Sequence, residues 1–574
     1  MSVHSKPATS AAPTIAELYT PKLMTVLREG YGFGKFQADL VAGLTVAIVA
    51  LPLSMAIAIA SGVSPDRGLY TAIVGGFLVS LLGGSRFQIG GPAGAFIVLV
   101  AATVERHGVD GLLLATIMAG VFLIVIGALR IGAYIKLIPY PVTVGFTAGI
   151  AVIIFASQIK DLFGLTLTEK EPGELLPKLM TLGSAAGTVN IAAVGLAALT
   201  ILTILGLKRW RPSWPGLLIA VALAAILTSI FNLPVETIGS KFGGIPRGLP
   251  APALPAFSME KAQAVLPDAV AFALLGAIES LLSAVVADGM TGRRHRSNCE
   301  LVAQGIANIG SALFGGICVT GTIARTATNV RAGAVGPVSG MLHAVFLLVF
   351  MLVAAPLASA IPLAALAGVL AVVAWNMIEK DAFRALIRSS VGDAAVLLIT
   401  FALVIFRDLT EGIIVGFLLG SVLFIDRMGR TIAVEAGAPV ARDDVPDTTN
   451  GGRTAYDPET GSDPDVVVYR ISGAFFFGAA SSVAAVLDRI SGRPGALVLD
   501  FSAVPFLDST AANVIEGTVR KATRGNSKVF ITGATPAVRR MLFAHGVRPP
   551  HVRYKATAQS AVRQAHNMAT APAA

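Results

Sequence analysis

The chain has 574 residues, of which 54% are hydrophobic and only 14% are charged, and its formal net charge is +10. Because soluble domains carry roughly 25% charged residues, this composition excludes a chain that is soluble throughout. Only two cysteines occur, so we expect neither a disulfide framework nor a cysteine metal site, and we expect no metal and no cofactor.

Residues 1–39 form a polar N-terminal segment without the short apolar core and cleavage site of a signal peptide, so we expect this segment to stay in the cytoplasm. Apolar runs then recur along the chain, and each approaches the ~20 residues that a helix needs to cross a bilayer. They predict a transmembrane domain over residues 40–425 with fourteen spans. The predicted spans are 40–61, 68–82, 92–104, 112–129, 138–157, 190–206, 216–232, 268–287, 301–314, 323–331, 338–359, 362–377, 392–406 and 409–425.

Clusters of lysine and arginine follow the predicted even-numbered spans, on the same side of the membrane as the N-terminus. Such clusters mark cytoplasmic loops, so we expect a multi-pass protein of the cytoplasmic (inner) cell membrane with both termini in the cytoplasm. This topology accounts for most of the net charge of +10, and no nucleic-acid partner is needed to explain it. The clusters are Arg130 and Lys136; Lys208, Arg209 and Arg211; Arg293, Arg294 and Arg296; Lys380, Arg384 and Arg388; and Arg427 and Arg430.

The composition of the chain changes after the last predicted span. Residues 426–464 include an acidic stretch rich in glycine and proline, which predicts a linker. In residues 465–565 the β-type runs DVVVYRIS, GALVLDFS and SKVFITGA alternate with helix-like segments, which predicts a small cytoplasmic α/β domain. Residues 566–574 are expected to be a disordered tail.

An internal repeat is visible within the transmembrane domain. LLGGSRFQIGGPAGA (81–95) and LFGGICVTGTIARTA (313–327) share a glycine pair, a β-like region and small residues that begin a helix. Superposing the glycine pairs places Ala93 opposite Arg325. Seven spans separate the two copies, and an odd number makes the repeat inverted across the membrane. Inverted repeats with glycine-interrupted segments are typical of secondary transporters whose site lies where two broken helices meet.

Arg325 lies in the second copy among small residues and threonines. A helix that begins in mid-membrane exposes free N–H groups and the positive end of its dipole, and a guanidinium beside two such ends favours an anion. Glu279 lies in the middle of a span, and Ser283 lies one turn later on the same face. A carboxyl group there is a natural proton acceptor, which leads to the hypothesis of proton coupling. The alternative is a structural ion pair of Glu279 and Arg325 without a transport role.

Three stretches of the sequence resemble a known family. GLYTAIVGGFLVSLLGGSRFQIGGPAGAF and the region from AIESLLSAVVADGMTG to GGICVTGTIARTATNVRAGA look like segments of the SulP anion transporters. LVLDFSAVPFLDSTAANVI resembles the STAS domain that these proteins carry. The resemblance implies an α-helical membrane protein with a 7+7 inverted repeat, in which spans 1–4 and 8–11 form a core domain that moves like an elevator against a gate domain of spans 5–7 and 12–14.

The resemblance also implies a set of site residues. Some family members have glutamine and phenylalanine in place of Leu53 and Ile57, so the pocket here is more apolar. Sodium-coupled bicarbonate members have aspartate and threonine in place of Glu279 and Ser283 and lack the arginine, so Glu279 with Arg325 favours protons. The implied substrate-binding residues are Leu53, Ile57, Gly91, Pro92, Ala93, Gly94, Ser283, Thr322, Ile323, Ala324, Arg325 and Thr326, with Glu279 for proton coupling.

Within the family, the two core motifs look closest to bacterial C4-dicarboxylate transporters of succinate, fumarate and aspartate. Proton-coupled dicarboxylate uptake is therefore the first hypothesis, and sulfate or bicarbonate transport, or an uncoupled anion channel or sensor, are the alternatives. An enzyme is not expected, because no nucleophile–base set, metal-ligand cluster or nucleotide motif is visible.

The resemblance implies a homodimer and leaves room for a cytoplasmic regulatory partner of the STAS domain. FLDSTA resembles the loop that carries a phosphorylated serine in soluble STAS regulators, here Ser509. A phosphate there would lie at a helix N-terminus. The alternative is that Ser509 only caps that helix.

Overall fold

The computed structural model of the protein describes residues 18–132, 139–168, 171–172, 174–211, 214–407, 409–430, 433–436, 466–488 and 495–569. Its contacts divide the chain into two compact units, Met1–Leu418 and Leu419–Ala574. The first unit contains nearly all of the apolar helices, and the second contains a mixed α/β fold.

The first half of the membrane region contains eleven α-helices and one short strand among the residues described. The strand β1 is Gly90–Gly91, and a 3-10 turn over Gly94–Phe96 follows it. The helices are α1 (Lys22–Arg28), α2 (Phe33–Ala60), α3 (Pro65–Tyr70), α4 (Gly76–Leu82), α5 (Ile97–Ala128), α6 (Tyr140–Phe163), α7 (Leu175–Ser184), α8 (Ile191–Trp210), α9 (Gly216–Phe231), α10 (Ile238–Phe242) and α11 (Met259–Ala264).

The second half repeats this pattern of long helices around a short strand. The strand β2 is Thr320–Gly321. The helices are α12 (Leu266–Thr291), α13 (Ser297–Leu313), α14 (Ile323–Arg331), α15 (Val338–Ala358), α16 (Leu363–Met377), α17 (Lys380–Ser389), α18 (Val391–Phe406) and α19 (Leu409–Arg430).

Fourteen helical spans can be traced through the described residues, in agreement with the predicted number. Within the described ranges, eight helices are long and apolar enough to cross a membrane by length and composition, and α9 and α18 are shorter apolar helices. The stretch 65–82, in which a π-helical turn over Thr71–Gly75 joins α3 to α4, supplies the second span, and α13 and α14 supply two more. The predicted fold class is thus confirmed: a helical polytopic membrane protein with a C-terminal α/β domain.

Two boundaries differ from the prediction. The first span begins at Phe33 rather than at residue 40, so Asp39 lies inside a helix. Its carboxylate accepts hydrogen bonds from the backbone N–H groups of Val335 and Gly336 at 2.6 and 3.1 Å, which satisfy the buried charge. The third and fourth spans are continuous in α5 except for Gly108, whose φ of +67° divides the helix into two spans.

The long helices pack mainly within two sets. The α2 helix packs on α15, and α5 packs on α12 and α13, all of which are spans of the predicted core domain. The α6 helix packs on α16 and α18, and α8 packs on α9 and α16, all of which are spans of the predicted gate domain. The interior of both sets is lined by small and branched apolar residues, which permit close approach of the helices.

The second unit contains a five-stranded sheet in the order β3-β4-β5-β6-β7. The β3 strand is antiparallel to β4, and the other neighbours are parallel. The strands are β3 (Ala433–Ala436), β4 (Val466–Ser472), β5 (Ala496–Ala503), β6 (Lys528–Thr532) and β7 (Val552–Lys555), and the helices are α20 (Phe477–Asp488), α21 (Ser509–Arg524), α22 (Pro536–Ala544) and α23 (Ala558–Ala569).

Two predictions for this region are corrected. The predicted linker 426–464 contains β3, because Val434 and its neighbours complete the edge of the sheet beside β4. The predicted disordered tail 566–574 is helical up to Ala569, because α23 buries Ala561, Val562 and Ala565 against the sheet. The rest of the linker, apart from α19 at its start, and residues 570–574 lie outside the described residues.

Candidate functional site

The two copies of the internal repeat meet at a pair of short antiparallel strands. Gly90 is paired with Gly321, and Gly91 is paired with Thr320. Each strand leads directly into a helix start, the 3-10 turn at Gly94 in the first copy and α14 in the second. Neither helix start is capped by a side-chain hydrogen bond, so backbone N–H groups remain available there.

Arg325 occupies the third position of α14 and is only 1% exposed. Its Nη2 donates to Ser54 Oγ at 3.2 Å and to the Pro92 carbonyl at 3.4 Å. Its Nε and Nη1 are buried and have no hydrogen-bond partner among the residues that the structure describes. A buried guanidinium with unpaired N–H groups is costly unless an anion completes it. The side chain therefore has the geometry of an incomplete anion site.

Two glycines make room for polar side chains at the strand pair. A Cβ atom on Gly91 would collide with Nη1 of Arg325, and a Cβ atom on Gly321 would collide with Nε2 of Gln88. The glycine of each strand is thus covered by a long polar side chain from the other copy. This close approach explains why both strands contain glycine at these positions.

Ser283 and Thr326 lie at the back of the strand pair. Ser283 Oγ donates to Thr326 Oγ1 at 3.1 Å, and Thr326 Oγ1 accepts from the backbone N–H of Ile89 at 3.1 Å. Both the backbone N–H and the hydroxyl of Thr322 donate to the Ile89 carbonyl, at 3.0 and 3.2 Å. These bonds attach α14 and α12 to the first copy and orient the helix that carries Arg325.

Glu279 is 8% exposed and lies in the middle of α12, one turn before Ser283. No ion pair joins it to Arg325, whose guanidinium contacts Ser54 and Pro92 instead. The alternative of a structural ion pair is therefore wrong for this conformation. The reason is geometric, since α14 points the arginine toward α2 and the first strand. The guanidinium charge is not neutralised by that carboxylate.

The remaining predicted site residues fall on several elements. Leu53 and Ile57 are buried one turn apart on one face of α2, the helix that also contributes Ser54. Ala93 is buried at the start of the 3-10 turn, and Ile323 is partly buried at the first position of α14. Ala324 is exposed, so it lies away from the buried side of the helix that holds Arg325.

Gly94 faces the other set of helices. A Cβ atom there would lie 3.4 Å from Cδ1 of Ile154 in α6 and 3.6 Å from Sδ of Met377 in α16. Both distances are ordinary van der Waals contacts. The start of the third span therefore lies against helices of the predicted gate domain.

Polar residues outside the predicted site form a chain of hydrogen bonds behind the strands. Gln88 Nε2 donates to Ser280 Oγ at 2.7 Å, and Ser280 Oγ donates to Gln304 Oε1 at 3.3 Å. Gln304 Nε2 in turn donates to the carbonyl of Val319, next to β2. Ser54 is also absent from the predicted site residues, although a hydroxyl or amide inside an apolar span itself indicates a polar partner.

In the second unit, the structure assigns the helix cap to Asp508. Asp508 Oδ1 accepts from the backbone N–H of Ala511 at 2.8 Å, so the expectation that Ser509 caps α21 is wrong. An aspartate at the residue before the helix takes the position that a serine would otherwise take. Ser509 is exposed, with its hydroxyl 3.8 Å from Sδ of Met541. Its phosphorylation stays a prediction.

Comparison with known proteins shows the family. Residues 36–400 match the family described as the Sulfate permease family, and residues 457–561 match the STAS domain. A Bacillus subtilis relative named "Putative sulfate transporter YvdB" is 40% identical over 524 residues, covering 90% of this chain and 95% of the relative. The "Bicarbonate transporter BicA" of Synechocystis is 33% identical over 523 residues, covering 89% of this chain and 90% of the relative.

Solved structures show the same fold. The murine Solute Carrier 26 family member A9 anion transporter in the inward-facing state has a TM-score of 0.82 at 18% identity, over 98% of this chain and 97% of that chain. The transmembrane domain of a cyanobacterial bicarbonate transporter BicA has a TM-score of 0.60 at 33% identity, over 68% of this chain and 98% of that chain. The chain therefore belongs to the sulfate permease (SulP) family of membrane anion transporters and carries a C-terminal STAS domain.

Proposed function

We propose that the protein carries a small inorganic oxyanion across the membrane, with sulfate as the first substrate to test and bicarbonate as the second. The observation that carries the proposal is Arg325, a buried guanidinium whose Nε and Nη1 have no hydrogen-bond partner in the described part of the chain. The oxygens of a tetrahedral or planar oxyanion match the donor fork of a guanidinium. The two uncapped helix starts add N–H donors of the same polarity.

The hypothesis of C4-dicarboxylate uptake receives no support from the relatives, which are named as sulfate and bicarbonate transporters. We therefore place the dicarboxylate second to an inorganic oxyanion.

Glu279 is the proposed proton acceptor of the transport cycle. It is a buried carboxyl group one turn from Ser283, and it forms no ion pair with Arg325. A carboxyl group without a cationic partner inside a membrane is expected to exchange a proton when the cavity beside it opens to water. The elevator-like movement of the core domain, the cytoplasmic position of both termini and a homodimer belong to the same proposal.

Uptake into proteoliposomes tests the substrate. Labelled sulfate is supplied outside at an imposed inward proton gradient, with bicarbonate or succinate as competitor. We expect saturable accumulation against the sulfate gradient, inhibition by bicarbonate and little inhibition by succinate. Accumulation of succinate in place of sulfate would overturn the substrate proposal, and uptake that only equilibrates and does not saturate would favour a channel.

The matched variants Arg325→Ala and Arg331→Ala test the site. Both arginines lie on α14, but Arg331 is exposed in its last turn. We expect Arg325→Ala to abolish saturable uptake and Arg331→Ala to retain it. Equal uptake by the two variants would contradict the site.

The variants Glu279→Gln and Glu260→Gln test the coupling. Glu260 is exposed in α11 and serves as the control for loss of one carboxylate. We expect Glu279→Gln to exchange sulfate between equal pools but to lose acceleration by an inward proton gradient. A variant that still accumulates sulfate with an unchanged pH dependence would rule out Glu279 as the proton acceptor.

Regulation through Ser509 is a separate proposal, supported by the exposure of its hydroxyl beside the N-terminus of α21. Phosphopeptide mapping of protein purified from native membranes tests it. Finding the peptide unmodified under varied anion supply would rule it out.

A further inference from the structure

A basic surface rich in tryptophan lies where spans 6, 7 and 12 meet the same face of the membrane. The side chains of Lys208 and Asn376 join two of these span ends, with Lys208 Nζ donating to Asn376 Oδ1 at 3.4 Å. We call this surface the tryptophan patch. It consists of Lys208, Arg209, Trp210, Arg211, Trp214, Trp375, Lys380, Arg384 and Arg388.

The α17 helix forms one side of the patch, and none of its ten residues is buried. Lys380, Arg384 and Arg388 follow one another at intervals of four residues, which places them on one face of the helix. The ring of Phe383 lies instead against Phe401 of α18, with centroids 5.8 Å apart. The helix thus has a cationic face and an apolar face, as a helix that lies in a membrane surface does.

The position of α17 in the chain also holds it at the membrane surface. It begins three residues after Met377, where α16 ends, and ends two residues before Val391, where α18 begins. Both neighbouring helices are membrane spans, so α17 is held close to the lipid surface. This geometry favours lipid over a soluble partner as the molecule that covers its basic face.

The charge of the patch is strongly positive. The segments 208–211 and 379–388 together contain six basic residues and two acidic ones, Glu379 and Asp381. Asp381 lies 3.7 Å from Arg384, but both side chains are highly exposed, so this ion pair is weak. Glu379 accepts a hydrogen bond from the hydroxyl of Tyr140 at 3.2 Å.

All three tryptophans of the chain lie in the patch. Trp210, Trp214 and Trp375 are 79%, 57% and 62% exposed in the protein alone. Lys380 Nζ lies 3.8 Å from the centroid of the Trp375 ring, a cation–π contact. Tryptophan prefers the interface between headgroups and acyl chains, and lysine and arginine there attract anionic lipids.

We propose that the tryptophan patch binds anionic phospholipid headgroups, with Lys380 and Arg384 holding the phosphate and Trp375 lying beside the acyl boundary. The lipid then attaches the predicted gate domain to one leaflet. This inference is independent of the proposed substrate, because no residue of the patch takes part in the site at Arg325.

Quenching of tryptophan fluorescence tests the proposal, because every tryptophan of the chain reports on this patch alone. The full-length protein is reconstituted into phosphatidylcholine–phosphatidylglycerol vesicles in which either the neutral or the anionic lipid is dibrominated, at equal bromine content. Each cation near an anionic surface raises lipid binding about fivefold, so we expect clearly stronger quenching by dibrominated phosphatidylglycerol. Equal quenching by the two lipids would overturn the proposal, whatever any variant does.

Two variants with the same loss of charge sharpen the test. Lys380→Gln/Arg384→Gln/Arg388→Gln removes three cations of the patch, and Arg293→Gln/Arg294→Gln/Arg331→Gln removes three exposed cations at the ends of core spans. We expect the first variant to lose the preference for the anionic lipid and the second to keep it. Retention of the preference by the first variant would contradict the role of α17.

Inorganic phosphate distinguishes a headgroup from free phosphate. At constant ionic strength, we expect phosphate in place of chloride to leave the preference unchanged. Loss of the preference in phosphate would assign the patch to free phosphate and overturn the lipid proposal.

Discussion

The two copies of the internal repeat have the same backbone arrangement but differ in the side chains that they place at the site. Each copy contributes a short strand and a helix start to the centre of the core, and the strands are paired through Gly90 and Gly321. When the glycine pairs are superposed, Ala93 of the first copy matches Arg325 of the second, although Ala93 precedes its 3-10 turn and Arg325 is the third residue of α14. One copy therefore supplies only backbone donors, whereas the other supplies backbone donors and a full charge.

The difference extends to the residues that cover the strands. Arg325 of the second copy lies over Gly91 of the first, whereas Gly321 of the second copy is covered by Gln88 of the first. A neutral amide thus fills on one side the place that a guanidinium fills on the other. An inverted repeat makes a symmetric scaffold, and the substitution of one long side chain makes the site asymmetric and cationic.

Moving the charge to the other copy is expected to have the largest effect on transport. The double variant Arg325→Ala/Ala93→Arg keeps the net charge of the site. We expect saturable sulfate uptake to fall at least about 100-fold, because two charge-assisted hydrogen bonds are lost and Gln88 already fills the matching space over Gly321. Sulfate uptake by proteoliposomes is the measurement. Uptake close to that of the wild type would mean that the two copies are interchangeable.

A substitution of Gly91, which lies under Arg325, is expected to have the next largest effect. In Gly91→Ala the new Cβ atom meets Nη1 of Arg325, so the guanidinium must move, and we expect affinity for sulfate to fall about tenfold or more, as overpacking costs about 1–3 kcal/mol. Gly195→Ala in α8 is the control, since a Cβ atom on Gly195 meets no atom within 4 Å and Gly195 is not among the predicted binding residues. Isothermal titration in detergent measures both. Equal affinities would show that Gly91 has no spatial role.

A substitution of Gly321 tests the strand that is covered by the neutral side chain of Gln88. Gly321→Ala introduces a Cβ atom that collides with Gln88, so we expect a loss of about 1–3 kcal/mol in stability. The double variant Gly321→Ala/Gln88→Ala removes the collision and is expected to recover part of that loss, although Ser280 then loses its donor. Unfolding midpoints of the purified variants form a double-mutant cycle. Strict additivity of the two changes would exclude this contact as the cause.

Ser54 gives the smallest expected effect. Ser54→Ala removes one acceptor of Arg325 Nη2, at 3.2 Å, but leaves the Pro92 carbonyl in place. A single hydrogen bond to a charged group contributes about 1.5–3 kcal/mol, and we expect the lower end because a second acceptor remains, which is about a tenfold weaker affinity. Titration of sulfate measures the change. A tighter affinity in the variant would mean that Ser54 competes with the anion for the guanidinium.

Much of the fold follows from local patterns in the sequence. The apolar runs predict fourteen spans, and the paired motifs around 83–84 and 315–316 predict the inverted repeat with broken helices. The positions of Ser283, Thr322 and Thr326 around the second strand also agree with the motif, since their hydrogen bonds join the two copies. Glu279 is buried in α12, and the alternative of an ion pair with Arg325 is not present in the structure.

The missed features all depend on contacts between distant parts of the chain. Ser54 and Arg325 are 271 residues apart, and Gln88 and Ser280 are 192 apart. The sequence predicts a linker where β3 lies, because four residues have little pattern of their own and form a strand only beside β4. Neither hydropathy nor periodicity carries information about such pairings.

Local patterns in the sequence are enough to predict fourteen membrane spans, an inverted repeat and one arginine at a helix start. These properties are local, because they depend on the apolarity of runs and on the spacing of glycines. The groups that contact this arginine follow from tertiary packing alone: the hydroxyl of Ser54, the carbonyl of Pro92 and the open face of Gly91. The physical reason is that a guanidinium can reach several partners from one backbone position, and packing selects among them.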